Sequence, residues 1–240
     1  MKTWTTSRGV QVKRILFGRC NCHLIRGENE CLLVDCGGKR SRKKLRRRLA
    51  RIGAGEEAPL TLVLTHTHFD HAENAASLKR ECNVRIIVHE METANLKRGE
   101  NPPIQGTLPL TRVLTWILNR SPRLEKRFRY TGVAPDRTVS SETDLRTEGF
   151  PVTLMPTPGH SPGSMSVIID NEIALVGDAA FGIFPGSAFP PFARDPRELI
   201  KSWQKLLDTG CSLFIPAHGL PRTRALLLRQ YKKYSHKISM

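Results

Sequence analysis

The chain has 240 residues, of which 38 are Lys or Arg against 22 Asp or Glu, giving a formal net charge of +16. A chain of this length buries roughly 70–75% of its unfolded surface as one domain, so it needs no disulfide staples. No apolar run approaches the ~18 residues needed to span a bilayer and residues 1–12 lack a signal-peptide core, which argues against membrane insertion and export, while the positive excess points to anionic partners.

Apolar runs at 10–17, 23–25 and 31–34 read as the first strands, with Asp35-Cys36-Gly37-Gly38 as a turn after the third. Nine of the thirteen residues from 39 to 51 are Lys or Arg, and Leu45, Leu49 and Ile52 recur at helical spacing. This predicts an amphipathic helix with one narrow buried stripe. Its basic face is either solvated or a surface for nucleic acid or an anionic membrane. A strand at 60–64, a helix over 72–81, a strand at 84–88 and a helix over 90–97 follow.

From 99 to 132 the pattern breaks, predicting a helical insert at about 100–131. Asn101-Pro102-Pro103 opens it, Leu110, Leu114, Ile117 and Leu118 mark a helix, and Pro122 precedes a basic stretch from Arg123 to Arg129. The insert can pack on its own domain, form a homodimer contact or lie on a membrane surface, with Trp116 as an anchor in each case. Further strands are predicted at 152–155, 165–169, 173–176 and 213–215, with Asn171 and Glu172 as a hairpin turn between two of them. Helices over 196–207, opened by Asp195 and Pro196, and over 221–234 complete the chain. The six cysteines form no Cys-x-x-Cys pair and several lie in apolar runs, which favours reduced thiols and a cytoplasmic protein.

The chemistry begins directly after the 60–64 strand. Thr65-His66-Thr67-His68-Phe69-Asp70-His71 sets three imidazoles and a carboxylate together, a donor set favoured by zinc, iron or manganese. His66 and His68, two apart on an extended segment, point the same way, while Asp70 and His71 lie where the chain turns into a helix. His160 in Pro158-Gly159-His160-Ser161, Asp178 in Gly177-Asp178-Ala179 and His218 in Ala217-His218-Gly219 each occupy a turn-like setting beside an apolar run. His89 reads as a strand-end residue, and His23 and His236 have no supporting context. Phe181 to Gly186, with Phe189 to Phe192, is either a packed loop or an apolar pocket wall.

In this order, His-x-His-x-Asp-His, then a lone His, an Asp and a last His, the chain resembles the metallo-β-lactamase-fold hydrolase superfamily. Asp35-Cys36-Gly37 is similar to that family's early Asp-x-Gly turn. The resemblance covers most of the chain and implies an α/β (α+β) fold, the αββα four-layer sandwich, in one domain over 1–240. It implies one metal on His66, His68 and His160, a second on Asp70, His71 and His218, and Asp178 bridging them, with Asp35 orienting the ligand loops. Two divalent transition-metal ions are implied, zinc first and iron or manganese as alternatives. The implied chemistry is attack by hydroxide held between them, with Asp70 as the catalytic carboxylate. The family's main zinc β-lactamases carry cysteine where this chain has Asp178, which argues against β-lactam hydrolysis; the glyoxalase II and lactonase-like branch uses Asp. The expected substrate is a small anionic ester, thioester or lactone. A nuclease or phosphodiesterase acting on a polyanion, and a mono-iron persulfide dioxygenase, are the alternatives that the same motif leaves open.

Overall fold

Two sheets face each other in the computed structural model of the chain, which describes residues 1–55 and 57–236. The first runs in the order β1 (Thr3–Thr5), β2 (Gln11–Leu16), β3 (Cys22–Arg26), β4 (Cys31–Val34), β5 (Leu60–Val63), β6 (Arg85–His89) and β7 (Arg137–Val139). It is antiparallel from β1 to β4 and parallel from β4 to β7. The second holds β8 (Thr143–Asp144), β9 (Val152–Pro156), β10 (Met165–Ile169), β11 (Ile173–Gly177), β12 (Leu213–Pro216) and β13 (Arg222–Thr223) as successive neighbours, antiparallel except between β11 and β12. The helices are α1 (Arg42–Ala50), α2 (Phe69–Ala72), α3 (Ala75–Cys82), α4 (Thr93–Arg98), α5 (Pro109–Arg120), α6 (Pro122–Arg127), α7 (Pro196–Asp208) and α8 (Arg224–Ser235).

Side-chain alternation along the strands creates the layers. Leu32 and Val34 of β4 face the second sheet, meeting Val167, Ile169 and Leu175 in the central core. Cys31 and Leu33 face the other way, onto Leu45 and Leu49 of α1, Leu78 of α3 and Leu96 of α4. On the far side of the second sheet, Ile168, Ala174, Val176 and Phe214 pack on Leu199, Trp203 and Leu206 of α7 and Leu227 of α8. The result is the expected αββα sandwich. Strands buried on both faces read as continuous apolar runs rather than alternating ones.

Several boundaries differ from expectation. The predicted 72–81 helix is divided into α2 and α3 at Glu73 and Asn74, because Asn74 directs its side-chain amide to the carbonyls of Cys36, Gly37 and Gly38. The β10–β11 hairpin turns on Asp170 and Asn171, both at positive φ, rather than on Asn171 and Glu172. The final helix starts at Arg224 rather than 221: Arg222 and Thr223 pair with β12, and the Thr223 hydroxyl then accepts from Leu226 N. As expected, Asp195 caps α7, accepting from Arg197 N and Glu198 N.

The insert packs onto its own chain. Thr107 N donates to Pro191 O at 3.0 Å, Ala193 N to Gln105 O at 2.9 Å, and Gly106 bridges to Phe192. A Cβ on Gly106 would lie 2.1 Å from the Thr111 carbonyl carbon, so only glycine lets α5 approach this closely. Among the described residues no helix is long and apolar enough to cross a membrane.

Candidate metal centre

The residues singled out in the sequence converge at one edge of the sandwich. The segments leaving the C-terminal ends of β4, β5, β9, β11 and β12 deliver Asp35, the His66-to-His71 run, His160, Asp178 and His218 respectively. The ends of β5 and β11 meet closely there: Gly177 sits at φ 49°, and a Cβ on it would come 2.7 Å from Thr65 Oγ1. Donor atoms of His66, His68 and His160 form one group, those of Asp70, His71 and His218 a second, and those of His66, His71 and Asp178 a third between them. Within each group all atoms lie within 4.8 Å of one another.

The hydrogen bonds on the outer ring nitrogens fix what the inner ones are. His68 Nε2 donates to Pro102 O at 3.1 Å, and His160 Nδ1 to Phe192 O at 3.0 Å; a carbonyl can only accept. His68 Nδ1 and His160 Nε2 are therefore both lone pairs in the neutral rings, yet they face each other at 2.9 Å. Such a contact repels unless a cation lies between them. Protons are poorly suited to that place. Burial, with repulsion from neighbouring imidazoles, holds His160 down to about 4 and His66 well below the ordinary histidine range; burial also lowers His68. His66 Nε2 is buried without a hydrogen-bond partner, as is Asp178 Oδ1. Nitrogen and carboxylate donors, deprotonated and aimed inward, fit a divalent transition metal.

The second group is more strongly charged. His71 Nδ1 donates to Asp35 Oδ2 at 2.9 Å, leaving Nε2 directed at Asp178 Oδ1, 3.5 Å away, and at His218 Nε2, 3.4 Å away. Burial opposes a charge on His71, but the carboxylates of Asp35 and Asp178 outweigh it and push the ring up to about 10; the same contest, led by Asp178, raises His218. Burial works against the Asp178 carboxylate as well, and the surrounding His218, His71 and His160 nonetheless lower it. Asp178 Oδ2 stands 3.4 Å from His160 Nε2 and Oδ1 3.3 Å from His218 Nε2, so this one carboxylate reaches both donor groups. Asp70 Oδ2 lies 3.7 Å from His218 Nε2. Asp35 combines the two roles open to it in the sequence. It turns the chain at φ 59° and also accepts from Thr65 N at 2.9 Å while orienting His71.

One buried acid escaped the sequence reading. Glu92, wholly buried in the short turn after β6, accepts from Thr67 N at 3.0 Å and from the Thr67 hydroxyl, and also from Ser161 Oγ at 2.6 Å and Gly163 N at 3.2 Å. Thr67 lies between His66 and His68, and Ser161 follows His160, so one carboxylate ties together the two loops that supply the first donor group. His89 is buried at the end of β6, as expected, with Nδ1 accepting from Met91 N. His23 is buried beside Trp4, away from the donor groups, and burial and the nearby Arg14 push it down to about 3.

Above the donors opens a cavity of about 950 Å³ whose floor includes His68, Asp70, His160, Asp178 and His218. The insert supplies one wall through Pro102, Ile104, Leu118 and Phe128; Phe17, Phe181, Ile183 and Phe192 line other parts, Arg19 adds positive charge, and Arg129 pairs with Glu100, also in the lining, at 3.1 Å. The phenylalanine-rich loop is thus divided, because Phe189 packs instead on Trp203 and Tyr234. No residue of α1 lines this cavity, and none of the six cysteines is in a disulfide.

The fold and its donor set agree with the sequence comparison. The family model described as the metallo-beta-lactamase superfamily matches residues 15–218. The chain belongs to that superfamily. Among curated relatives of this superfamily member, acyl-coenzyme A thioesterase MBLAC2 of Gallus gallus is 32% identical over 176 residues, 68% of this chain and 58% of that protein. This chain therefore spans little more than half of that relative's length. Hydroxyacylglutathione hydrolase GloC of Haemophilus influenzae is 28% identical over 208 residues, 83% of this chain and 85% of its own. The solved structure of the BLEG-1 B3 metallo-beta-lactamase matches with a TM-score of 0.66 at 24% identity, covering 95% of this chain and 100% of that one. A metallo-beta-lactamase family protein of Thermus thermophilus, TTHA1429, gives 0.66 at 20%, covering 97% and 80%. At these identities the solved structures establish the fold alone. The superfamily, the thioester-hydrolase relatives and the buried His/Asp clusters make this chain a metallo-hydrolase-family protein with a metal-binding site.

Proposed function

We propose that the chain is a dinuclear metal-dependent hydrolase of acyl thioesters whose thiol half is anionic. His66, His68 and His160 would hold one divalent cation, Asp70, His71 and His218 a second, and Asp178 would serve both; zinc suits this donor set, as do iron and manganese. Bound there, the cations supply Lewis acidity and an activated water at neutral pH.

The observation that carries the reading is the cavity: His and Asp donors on its floor, apolar side chains on its walls and the Arg19 guanidinium in its lining. At about 950 Å³ it lies near the top of the range for small-molecule sites, roughly 300–1,000 Å³. Apolar walls suit an acyl chain, and Arg19 suits a carboxylate or phosphate on the thiol carrier. Asp70, partly exposed to this cavity and within reach of His218, is placed to take a proton from the attacking water at a carboxylate oxygen and return it to the departing sulfur. The products are a carboxylate and a thiol. MBLAC2 and GloC are both named for hydrolysis of acyl groups from thiol carriers, which supports this substrate class.

The test is a substrate panel with metal content measured on the same preparation: acyl-coenzyme A, acylglutathione, lactones, aryl esters, phosphodiesters and short RNA. Thioesters are expected to turn over fastest, with about two transition-metal equivalents per chain. RNA cleavage faster than every thioester would transfer the site to the nuclease reading, and oxygen uptake with glutathione persulfide on a single iron would transfer it to the dioxygenase reading.

A further inference from the structure

Helix α5 is mounted with its polar side inward. Thr111 donates its hydroxyl to Pro191 O at 2.8 Å, and the buried Thr115 hydroxyl accepts from Gly106 N at 3.0 Å; only Leu118 on this side is apolar, and it lines the cavity. The opposite side carries Leu110, Val113, Leu114 and Ile117 at the spacing of one helical face, and all four are exposed, Leu110 by 81%. Trp116, 58% exposed, borders this stripe with the Arg120 guanidinium 4.3 Å above its ring. A surface helix normally buries such a stripe, and an exposed apolar patch rimmed by polar residues marks a site of interaction.

Charge selects the occupant. Between residues 100 and 131 the sequence has six Lys or Arg, at 112, 120, 123, 126, 127 and 129, and two acids, Glu100, which pairs with Arg129 at 3.1 Å, and Glu125. A second copy related by a two-fold axis would set this basic rim against itself, in a chain whose net charge is already +16. An anionic bilayer offers the complement to both parts: hydrocarbon for the leucine stripe, headgroup charge for the arginines and an interfacial level for the tryptophan. We propose that α5 lies in the surface of an anionic membrane, with Leu110, Val113, Leu114 and Ile117 embedded and Arg112 and Arg120 at the headgroups. The same helix forms the cavity wall through Leu118, and the exposed Ile183 lines the same cavity, so docking sets the cavity beside the lipid. Docking does not depend on what the metal centre hydrolyses.

The experiment is co-sedimentation of the purified full chain with vesicles of phosphatidylcholine alone or with about 30% phosphatidylglycerol, in parallel with sedimentation velocity without lipid. Binding is expected to the anionic vesicles only, to weaken as salt rises, and to shift the tryptophan emission to the blue in a way that Trp116→Phe removes. The double variant Leu110→Asp with Ile117→Asp should bind roughly tenfold or more weakly. The milder pair Leu110→Ser with Ile117→Ser should fall between, and both pairs should keep wild-type turnover of a short water-soluble substrate, since neither residue lines the cavity. Unchanged vesicle binding in both double variants, or no binding by the wild type, overturns the proposal. A lipid-free dimer that the double variants dissolve also overturns it, in favour of a second copy.

Discussion

Below the cavity His66, His68, His71 and His160 are buried and each is set by a second contact, whereas at the roof α5 hangs from a few threonine and backbone hydrogen bonds and turns its leucines to solvent. The floor stands on strand ends shared with three hydrophobic cores. The roof is an insertion between two of those strands, β6 and β7, tied back to the 190–193 segment. Donor geometry is thus set mainly by the packing that stabilises the fold, with the start of the insert adding two contacts, Pro102 O on the His68 ring and Asn101 Oδ1 on Phe69 N, while the insert supplies much of the wall that meets the rest of a substrate. Changes in α5 can therefore alter the walls and leave the donors in place, whereas changes at Asn101, Pro102 or Tyr130 would reach the donor run directly.

The comparison is broken most severely at the floor. Asp178→Ala removes the one carboxylate that reaches both donor groups. Turnover is expected to fall about a thousandfold, the cost of several kcal/mol of lost charge stabilisation. Metal analysis should show close to one equivalent fewer per chain, with an unchanged far-UV spectrum because the strands beneath are packed independently. Retention of both metal and activity would remove Asp178 from the centre.

A smaller effect is expected one layer below the donors. Glu92→Gln keeps the shape but exchanges one acceptor oxygen for an NH2 that faces existing donors, so either the Thr67 or the Ser161 and Gly163 contacts are lost. Metal affinity should fall roughly 10–100-fold, as is usual when the support of a ligand is removed. Turnover with saturating metal should recover most of the wild-type rate. That recovery distinguishes a positioning carboxylate from one that takes part in the reaction, and a rate that stays low at every metal concentration would count against positioning.

Those two acids also mark how far the sequence could be read. Asp178 was legible because a short Gly-Asp turn after an apolar run is a local signal, and the same holds for the 66–71 run, His160 and His218. Glu92 had no local signal. Its partners Thr67 and Ser161 lie 25 and 69 residues away, and only the fold brings them together. The central strands were legible through their apolar runs, while β1, β7, β8 and β13, with two or three residues each, were too short to show any periodicity. Periodicity revealed that α5 has an apolar face but not its direction: Leu110, Leu114 and Ile117 point out and Leu118 points in. That choice is made by Thr111, Thr115 and Gly106, whose hydrogen bonds and close approach are tertiary facts.

The smallest effect is expected at α1, the most conspicuous charge feature of the chain. Part of its charge is engaged within the fold: Arg42 and Arg46 pair with Glu81, the latter at 2.9 Å, and Arg48 donates to Ile15 O, while Leu45 and Leu49 anchor the helix. Lys43, Lys44 and Arg47 are the residues to change, and none lines the cavity above the donors. Replacing all three by Gln should leave thioester turnover within about twofold and stability within ~1 kcal/mol, the scale of exposed charge interactions. Any affinity of the wild type for duplex nucleic acid should be weak and should collapse between low and physiological salt, because nothing but phosphate neutralisation supports it. RNA cleavage that exceeds thioester turnover and is lost in this triple variant would reverse the ranking. It would show that α1 presents a polyanion to a centre whose apolar walls otherwise suit an acyl chain.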